Sequence, residues 1–443
     1  MRKRLTGVII LVLAAFLPLS GQEIWTLEDC VKYALEHNID LQKQAHNIDR
    51  ETLAVQEGKW AFVPRLSAST SYTMSTGRVL DPTTYEFVKT NYTGYNSTSV
   101  SGEVTLFEGG RKLFALSRAE LSLRAALLQE ESLKYNLRIQ VAGAYMDVLC
   151  AREQERIARE TAEFVERQLK RTLTLYEAGS VIETDVLQFR TQLSAAQKDV
   201  TSASHAGRMT LLVLCDLLER DDYEDFQIAE PTDSDLSLGG WDREAILESH
   251  PDIRSAALKK ELADVDFKLA RAAMSPRLSL SAGFGTSYSD ARQKALFNED
   301  GTIRYEAYPF FQQYADNGSA FVSLSLSIPI LNGLSTRNGI KRTKLAIADT
   351  ELSARQTRKN VRKQLIQAEM DYYSARDRYR HSEKEVEYAR EVFNQVERKY
   401  NLGAVDFLAW HTAAVELAKA RYALAEARYT CLLRMEILKN LGY

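Results

Sequence analysis

Residues 276–285 read Pro276-Arg277-Leu278-Ser279-Leu280-Ser281-Ala282-Gly283-Phe284-Gly285, and their opening recurs upstream as Pro64-Arg65-Leu66-Ser67. Leu278, Leu280, Ala282 and Phe284 alternate with small residues, the period of a strand with one apolar and one polar face. Val322, Leu324, Leu326 and Ile328 alternate with Ser323, Ser325 and Ser327 in the same way. The first half of the chain supplies Leu66, Ala68, Thr70, Tyr72 and Met74, then Thr98, Val100, Gly102, Val104 and Leu106. Four strands are expected, at about 64–75, 97–107, 277–288 and 320–329. Segments of about ten residues with this alternation fit transmembrane β-strands, lipid on one side and water on the other. A half-buried sheet in a soluble protein alternates identically, so the surroundings have to decide.

The repeat extends well beyond the strands. Leu35-Glu36-His37-Asn38 resembles Leu247-Glu248-Ser249-His250-Pro251, while Val104, Gly109, Tyr176, Gly179 and Leu193 match Ile328, Gly333, Tyr400, Gly403 and Leu417. Apart from a one-residue adjustment upstream, the spacing changes between the paired strands, by 12 residues, which marks that stretch as a variable loop. The chain is read as two copies of one unit, 22–218 and 241–443, with an acidic linker at 219–240 that holds Pro231 and Gly239-Gly240.

Each unit reads helix, strand, loop, strand, very long helix, turn, helix. The first helices are expected at about Leu27–Ala61 and Trp241–Met274. From Arg111 to Ala178 there is no proline, and Leu113, Leu116, Leu123, Leu127, Leu137, Val141, Ala144 and Val148 recur at spacings of three, four and their sums. A helix of that length extends about 100 Å, more than a globular core accommodates. Residues 337–402 repeat the pattern. Both rods end at Tyr-x-x-Gly, where glycine adopts the left-handed conformation that stops a helix. Fresh helices follow at about 183–218 and 406–441, the second rich in alanine.

Composition fits such a chain. Of 443 residues only 21 are glycine and 8 proline, so turns are few. The formal net charge of −3 argues against a nucleic-acid protein, which usually carries a basic excess. Arg2, Lys3 and Arg4 followed by an apolar run from Val8 to Leu17 have the layout of a secretory signal, 1–21, whose removal takes the charge from −3 to −6. Cys30, Cys150, Cys215 and Cys431 are too widely spaced for a metal cluster and read as small buried apolar residues.

Beyond the signal nothing resembles a membrane helix, so membrane contact falls to the strands. Tyr85, Phe87, Tyr92 and Tyr95, and Tyr305, Tyr308, Phe310, Phe311 and Tyr314, crowd the loops between them, as expected near lipid headgroups. Four strands in lipid leave unpaired edges, each backbone group costing several kcal/mol, so closure requires more strands than one chain has. An oligomer with a shared barrel is expected.

The opening Trp25-Thr-Leu-Glu-Asp-Cys-Val-Lys-Tyr-Ala-Leu-Glu-His-Asn38, the two Pro-Arg-Leu-Ser strand openings, the Leu106-Phe-Glu-Gly-Gly-Arg111 exit and the paired Tyr-x-x-Gly tips together resemble the TolC family of outer-membrane efflux and secretion channels, over essentially the whole mature chain. The resemblance implies a mainly α fold with a small transmembrane β portion: a homotrimer with a twelve-stranded β-barrel and an α-helical barrel in the periplasm of a Gram-negative bacterium. It implies the outer-membrane part of a tripartite efflux or type I secretion system, working with a periplasmic adaptor and an inner-membrane RND, ABC or similar pump. By resemblance, Tyr176, Gly179, Thr184, Val186, Leu187, Tyr400, Gly403, Val405, Phe407 and Leu408 form the adaptor-docking tips. Asp185 and Asp406 are constriction candidates. Some members carry aspartates six and nine residues after the second tip glycine; here those positions are Ala409 and Thr412, which shifts the acidic lining to the first repeat. Leu66, Ala68, Tyr72, Val100, Val104, Leu278, Leu280, Phe284, Val322, Leu324, Leu326 and Ile328 are the lipid-facing positions.

The six histidines form no i, i+4 pair and no HExxH, and neither a phosphate loop nor a nucleophile elbow is present, so no catalysis, metal or cofactor is expected. The other reading, a structural or adhesive coiled-coil protein of the envelope, would need uninterrupted heptads and no lipid-facing hairpins. A simple porin does not fit four strands and long helices.

Overall fold

The computed structural model describes residues 24–80, 85, 87–223, 226–231 and 243–441, so the proposed signal at 1–21 and much of the 219–240 linker lie outside the described residues. Contacts divide the chain into two compact units. One comprises the residues up to His46, Leu127–Ser255 and those from Arg355 on; the other comprises Asn47–Ala126 and Ala256–Ala354. Each unit draws on both sequence repeats.

The first unit is helical. The single opening helix expected from the sequence is two, α1 (Leu27–His37) and α2 (Ile39–Trp60), because Asn38 turns to ψ 128° between them. Thr26 and Asp29 cap α1 reciprocally, each side chain taking the other's backbone N–H. The matching helix of the second repeat also divides, into α5 (Arg243–Ser249) and α6 (Pro251–Ala272). Pro251 pushes His250 out of the helical region. The rods are α3 (Arg111–Glu177) and α8 (Ser335–Asn401), 67 residues each. They are followed by α4 (Glu183–Leu217) and α9 (Phe407–Leu441).

Only part of the α3 stripe is core. Leu137, Val141, Ala144 and Val148 are buried with Cys30, Leu214, Cys215, Tyr372 and Leu432, whereas Leu113 and Leu127 are exposed. Ala413, Ala420, Ala425 and Ala427 on α9 are buried, small enough for helices to approach closely. All four cysteines are free thiols. A short parallel pair joins β1 (Ile24–Trp25) to β4 (Gln227–Ile228). The buried Tyr145 hydroxyl donates to Ala229 O at 2.6 Å and Trp25 O at 3.2 Å, and Arg152 donates to Phe226 O and Ile228 O. These bonds tie the start of the chain and the linker strand to α3.

The second unit contains a four-stranded antiparallel sheet in the order β2 (Arg65–Leu80), β3 (Phe87–Phe107), β5 (Arg277–Ser289) and β8 (Ser319–Ser327). The first hairpin runs further toward its loop than the alternation delimits, with a bulge between Ser75 and Gly77. β8 stops before Ile328 because Pro329 has no N–H to add to the ladder. The loop of the second repeat holds a small hairpin, β6 (Gln293–Phe297) with β7 (Ile303–Ala307), and a helix of about two turns, α7 (Phe310–Asp316). Gln313 of α7 is buried and brackets Ser289, accepting its N–H at 3.0 Å and donating to its carbonyl at 2.9 Å. At the exit from β3, Gly109 has φ +66°, and a Cβ there would meet Ser275 Oγ at 2.2 Å, so only glycine fits.

Candidate functional site: helix-turn tips and an apolar strand face

Both rods end in the same arrangement of atoms. At the first, Gly179 N donates to Tyr176 O (2.9 Å) and Ser180 N to Leu175 O (2.8 Å); at the second, Gly403 N donates to Tyr400 O (3.0 Å) and Ala404 N to Lys399 O (2.9 Å). Each is a Schellman motif, with glycine at φ +71° and +70°. The Tyr-x-x-Gly spacing therefore encodes one turn used twice.

Beneath the turns lies an aromatic cluster. Trp410 is fully buried, its ring 5.7 Å from Phe164, 5.3 Å from Phe189, 5.8 Å from Phe407 and 5.8 Å from Tyr400. Phe189 meets Phe407 edge-on at 4.8 Å. Across the two tips, Arg171 Nη1 donates to Asn401 Oδ1 at 2.6 Å. Sequence reading missed Trp410, Phe164, Phe189, Phe393, Arg171 and Asn401. Phe189 and Trp410 follow the tip glycines and Phe164 and Phe393 precede them, an aromatic density around both turns that could have found the cluster; nothing local marks Arg171 or Asn401.

The expected tip residues divide by burial. Tyr176, Thr184, Leu187 and Leu408 are exposed, while Tyr400, Val405 and Phe407 are half-buried. Val186 is 4% exposed and belongs to the protein's own core, so it supports the tip from beneath and presents no surface. Asp406 precedes α9 and its carboxylate accepts the N–H of Ala409 at 2.9 Å, which makes it a helix cap rather than a free lining carboxylate. Asp185 sits half-buried in the first turn of α4, where the helix dipole favours a negative charge. It acts on Tyr400, whose phenol is held above its ordinary value by burial first and by Asp185 second.

The strand register gathers the other expected set onto one face. Ala68 lies opposite Val100, Val100 opposite Phe284, and Leu66 opposite Gly102, which faces Ala282 and then Val322. Val104 faces Leu280 and Leu280 faces Leu324, with Leu278 opposite Leu326 and Tyr72 opposite Asn96. Leu106 departs from the alternation: a bulge brings Phe107 opposite Leu278. Ile328 lies just beyond the strand. Leu66 is 78% and Val322 77% exposed, so the face is uncovered in the single chain. The opposite face is serine-rich, with Ser69 Oγ 3.0 Å from Ser99 Oγ and Ser67 Oγ 3.3 Å from Ser101 Oγ. On the apolar face, at the end toward the loops, Tyr314 of α7 reaches back, its hydroxyl 2.7 Å from Thr98 Oγ1 and its carbonyl accepting from Thr286. Among the described residues no helix is long and apolar enough to cross a membrane, and no group of three or more His, Cys, Asp or Glu could hold a metal.

Comparison with known proteins agrees with this architecture. The alkaline protease secretion protein AprF of Pseudomonas aeruginosa is 28% identical over 436 residues, covering 92% of this chain and 84% of AprF. The outer membrane protein TolC of Escherichia coli is 25% identical over 464 residues, covering 99% and 86%. Crystal structures of CusC, concerned with folding and transmembrane channel formation, superpose with a TM-score of 0.78 at 19% identity, covering 94% of this chain and 92% of CusC, a likeness of fold. The profile of the outer membrane efflux protein family matches residues 30–210 and 243–441. The chain belongs to that family and is a TolC-like channel protein of the Gram-negative outer membrane.

Proposed function

We propose that three copies of the chain form one passive conduit across the outer membrane. The observation that carries this reading is the sheet: one face is apolar and exposed, and β2 and β8 are free edges. In lipid each unpaired edge group costs several kcal/mol. Three four-stranded sheets joined edge to edge make twelve strands and leave none unpaired. Leu66, Ala68, Tyr72, Val100, Val104, Leu278, Leu280, Phe284, Val322, Leu324 and Leu326 then face lipid, with Ile328 at the rim. Leu113 and Leu127, exposed in the single chain, become seams between subunits.

The tips dock a periplasmic adaptor through Tyr176, Thr184, Leu187 and Leu408, on turns set by Gly179 and Gly403. An inner-membrane RND, ABC or similar pump supplies the energy, and the chain itself carries out no catalysis. Asp185 lines the constriction, and the Arg171–Asn401 bond holds the tips together in the closed state. The two repeats, 22–218 and 241–443, arose by duplication and follow a cleaved signal. An adhesive coiled coil is not favoured, since it has no use for an apolar sheet face.

The test is purification from outer membranes with crosslinking, followed by conductance in a planar bilayer. A crosslinked trimer giving stepwise currents is expected; recovery as a soluble monomer without conductance overturns the reading.

A further inference from the structure

We infer that the polar face of the sheet carries, at its helix-proximal end, a collar of guanidinium groups that selects anionic solutes. The inference rests on the trimeric-channel reading above and adds a site to it.

The polar face is almost free of charge. Ser67, Ser69, Ser71, Ser97, Ser99, Ser101, Ser279, Ser281, Ser323 and Ser325 set its character, and Gly283 makes room for Phe321. Among the described strand residues on that face between 65 and 75, 93 and 105, 277 and 289, and 319 and 327, the Asp, Glu, Lys, Arg and His side chains are Arg65, Glu103 and Arg277. All three stand at the same end. Arg65 lies directly opposite Glu103 in the ladder, and Arg277 Nη2 is 3.5 Å from Glu103 Oε1. Arg277 Nη2 also donates to Thr105 Oγ1 at 3.3 Å, which fixes the guanidinium over the strand. Two arginines stand beside one carboxylate, so each chain keeps a positive excess there.

These groups border a cavity of about 760 Å³ that the exit turn and the start of α3 complete with Glu108, Arg111 and Lys112. Lys112 Nζ donates to Thr105 O at 3.1 Å, bringing its charge to the same rim. Four basic and two acidic side chains line the cavity, opposite in sign to the chain as a whole. In a trimer the excess is repeated three times around one opening. A cleft of one sign between low-dielectric walls concentrates counter-ions. The planar fork of arginine matches carboxylate, phosphate and sulfonate groups. Neutral serine walls offer no comparable preference, so the collar is where the strand segment tells anions from cations.

The probe is a potassium chloride gradient across a planar bilayer holding the purified full-length protein. The double variant Arg65→Gln/Arg277→Gln is expected to lower the chloride-over-potassium permeability ratio by about twofold or more. Glu103→Gln is expected to raise it, and Arg65→Lys/Arg277→Lys, which keeps the charge, to preserve it. The Glu103 variant removes no arginine, so it decides the matter even where the double variant fails to assemble. Conducting channels whose ratio ignores Glu103→Gln and the double variant alike overturn the collar and leave the channel standing. A wild-type protein with no conductance overturns the channel reading itself.

Discussion

Val186 and Trp410 occupy the same place in the two repeats, seven residues after Gly179 and Gly403, and both are buried. Three residues further on the sizes are reversed: Phe189 in the first repeat, Ala413 in the second, both buried. A small then a large residue in one repeat thus answers a large then a small one in the other, and the two large ones, Phe189 and Trp410, pack together with ring centroids 5.3 Å apart. This exchange is how two copies of one hairpin build a single asymmetric core under the tips.

Trp410 is the largest member of that core, so its removal leaves a cavity that neighbouring rings cannot fill. Trp410→Ala is expected to cost about 3–5 kcal/mol locally. Limited proteolysis should then cut near residues 176–184 at concentrations that spare the wild type. Among the described residues the indole N–H has no hydrogen-bond partner, so Trp410→Phe gives up little and should keep the tip resistant.

Asp185 and Asp406 are expected to behave differently. Asp406→Ala loses the bond from Ala409 N and about 1 kcal/mol of helix capping, with bilayer currents unchanged. Asp185→Ala should alter conductance or cation selectivity. Equal effects from both would remove the distinction drawn from their geometry.

His250, at the break between α5 and α6, is half-buried and accepts the N–H of Asp252 at 3.2 Å, and burial lowers its pKa from 6.5. The unfolded chain therefore binds a proton at a higher pH than the folded one. Stability from this residue is complete above pH 6.5 and is lost as the pH falls from there to the lower folded value. A His250→Asn variant should show a flatter stability profile across that acidic window in denaturant titrations.

Cys30 is fully buried, and burial pushes its thiol up to about 12. At pH 8 the reactive thiolate is then about one part in ten thousand. Maleimide labelling of native protein should leave Cys30 unmodified, and labelling after denaturation should reach it. Rapid native labelling would mean that α1 detaches from its core.

The pattern of elements was legible in the amino acids because each followed a local rule. Alternation marked the strands, a three-and-four stripe without proline marked α3 and α8, and Tyr-x-x-Gly marked their ends. Where local rules compete, the reading failed: Asn38 and Pro251 broke helices that looked continuous, and the bulge at Leu106 moved Phe107 into register. The loop of the second repeat hid β6, β7 and α7, whose anchor is the long-range hold of Gln313 on Ser289.

Strand faces and turn glycines were settled by residue order, since periodicity and left-handed backbone are properties of neighbours along the chain. Tertiary structure alone decided which of those residues are surface and which are support. Val186 went inward and Leu187 outward, and Asp406 became a cap while Asp185 came beside Tyr400. Arg171 met Asn401, 230 positions away, and Arg277 met Glu103 across the sheet. These outcomes depend on register and helix packing between distant segments, where burial and charge are set by partners that no local stretch of sequence contains.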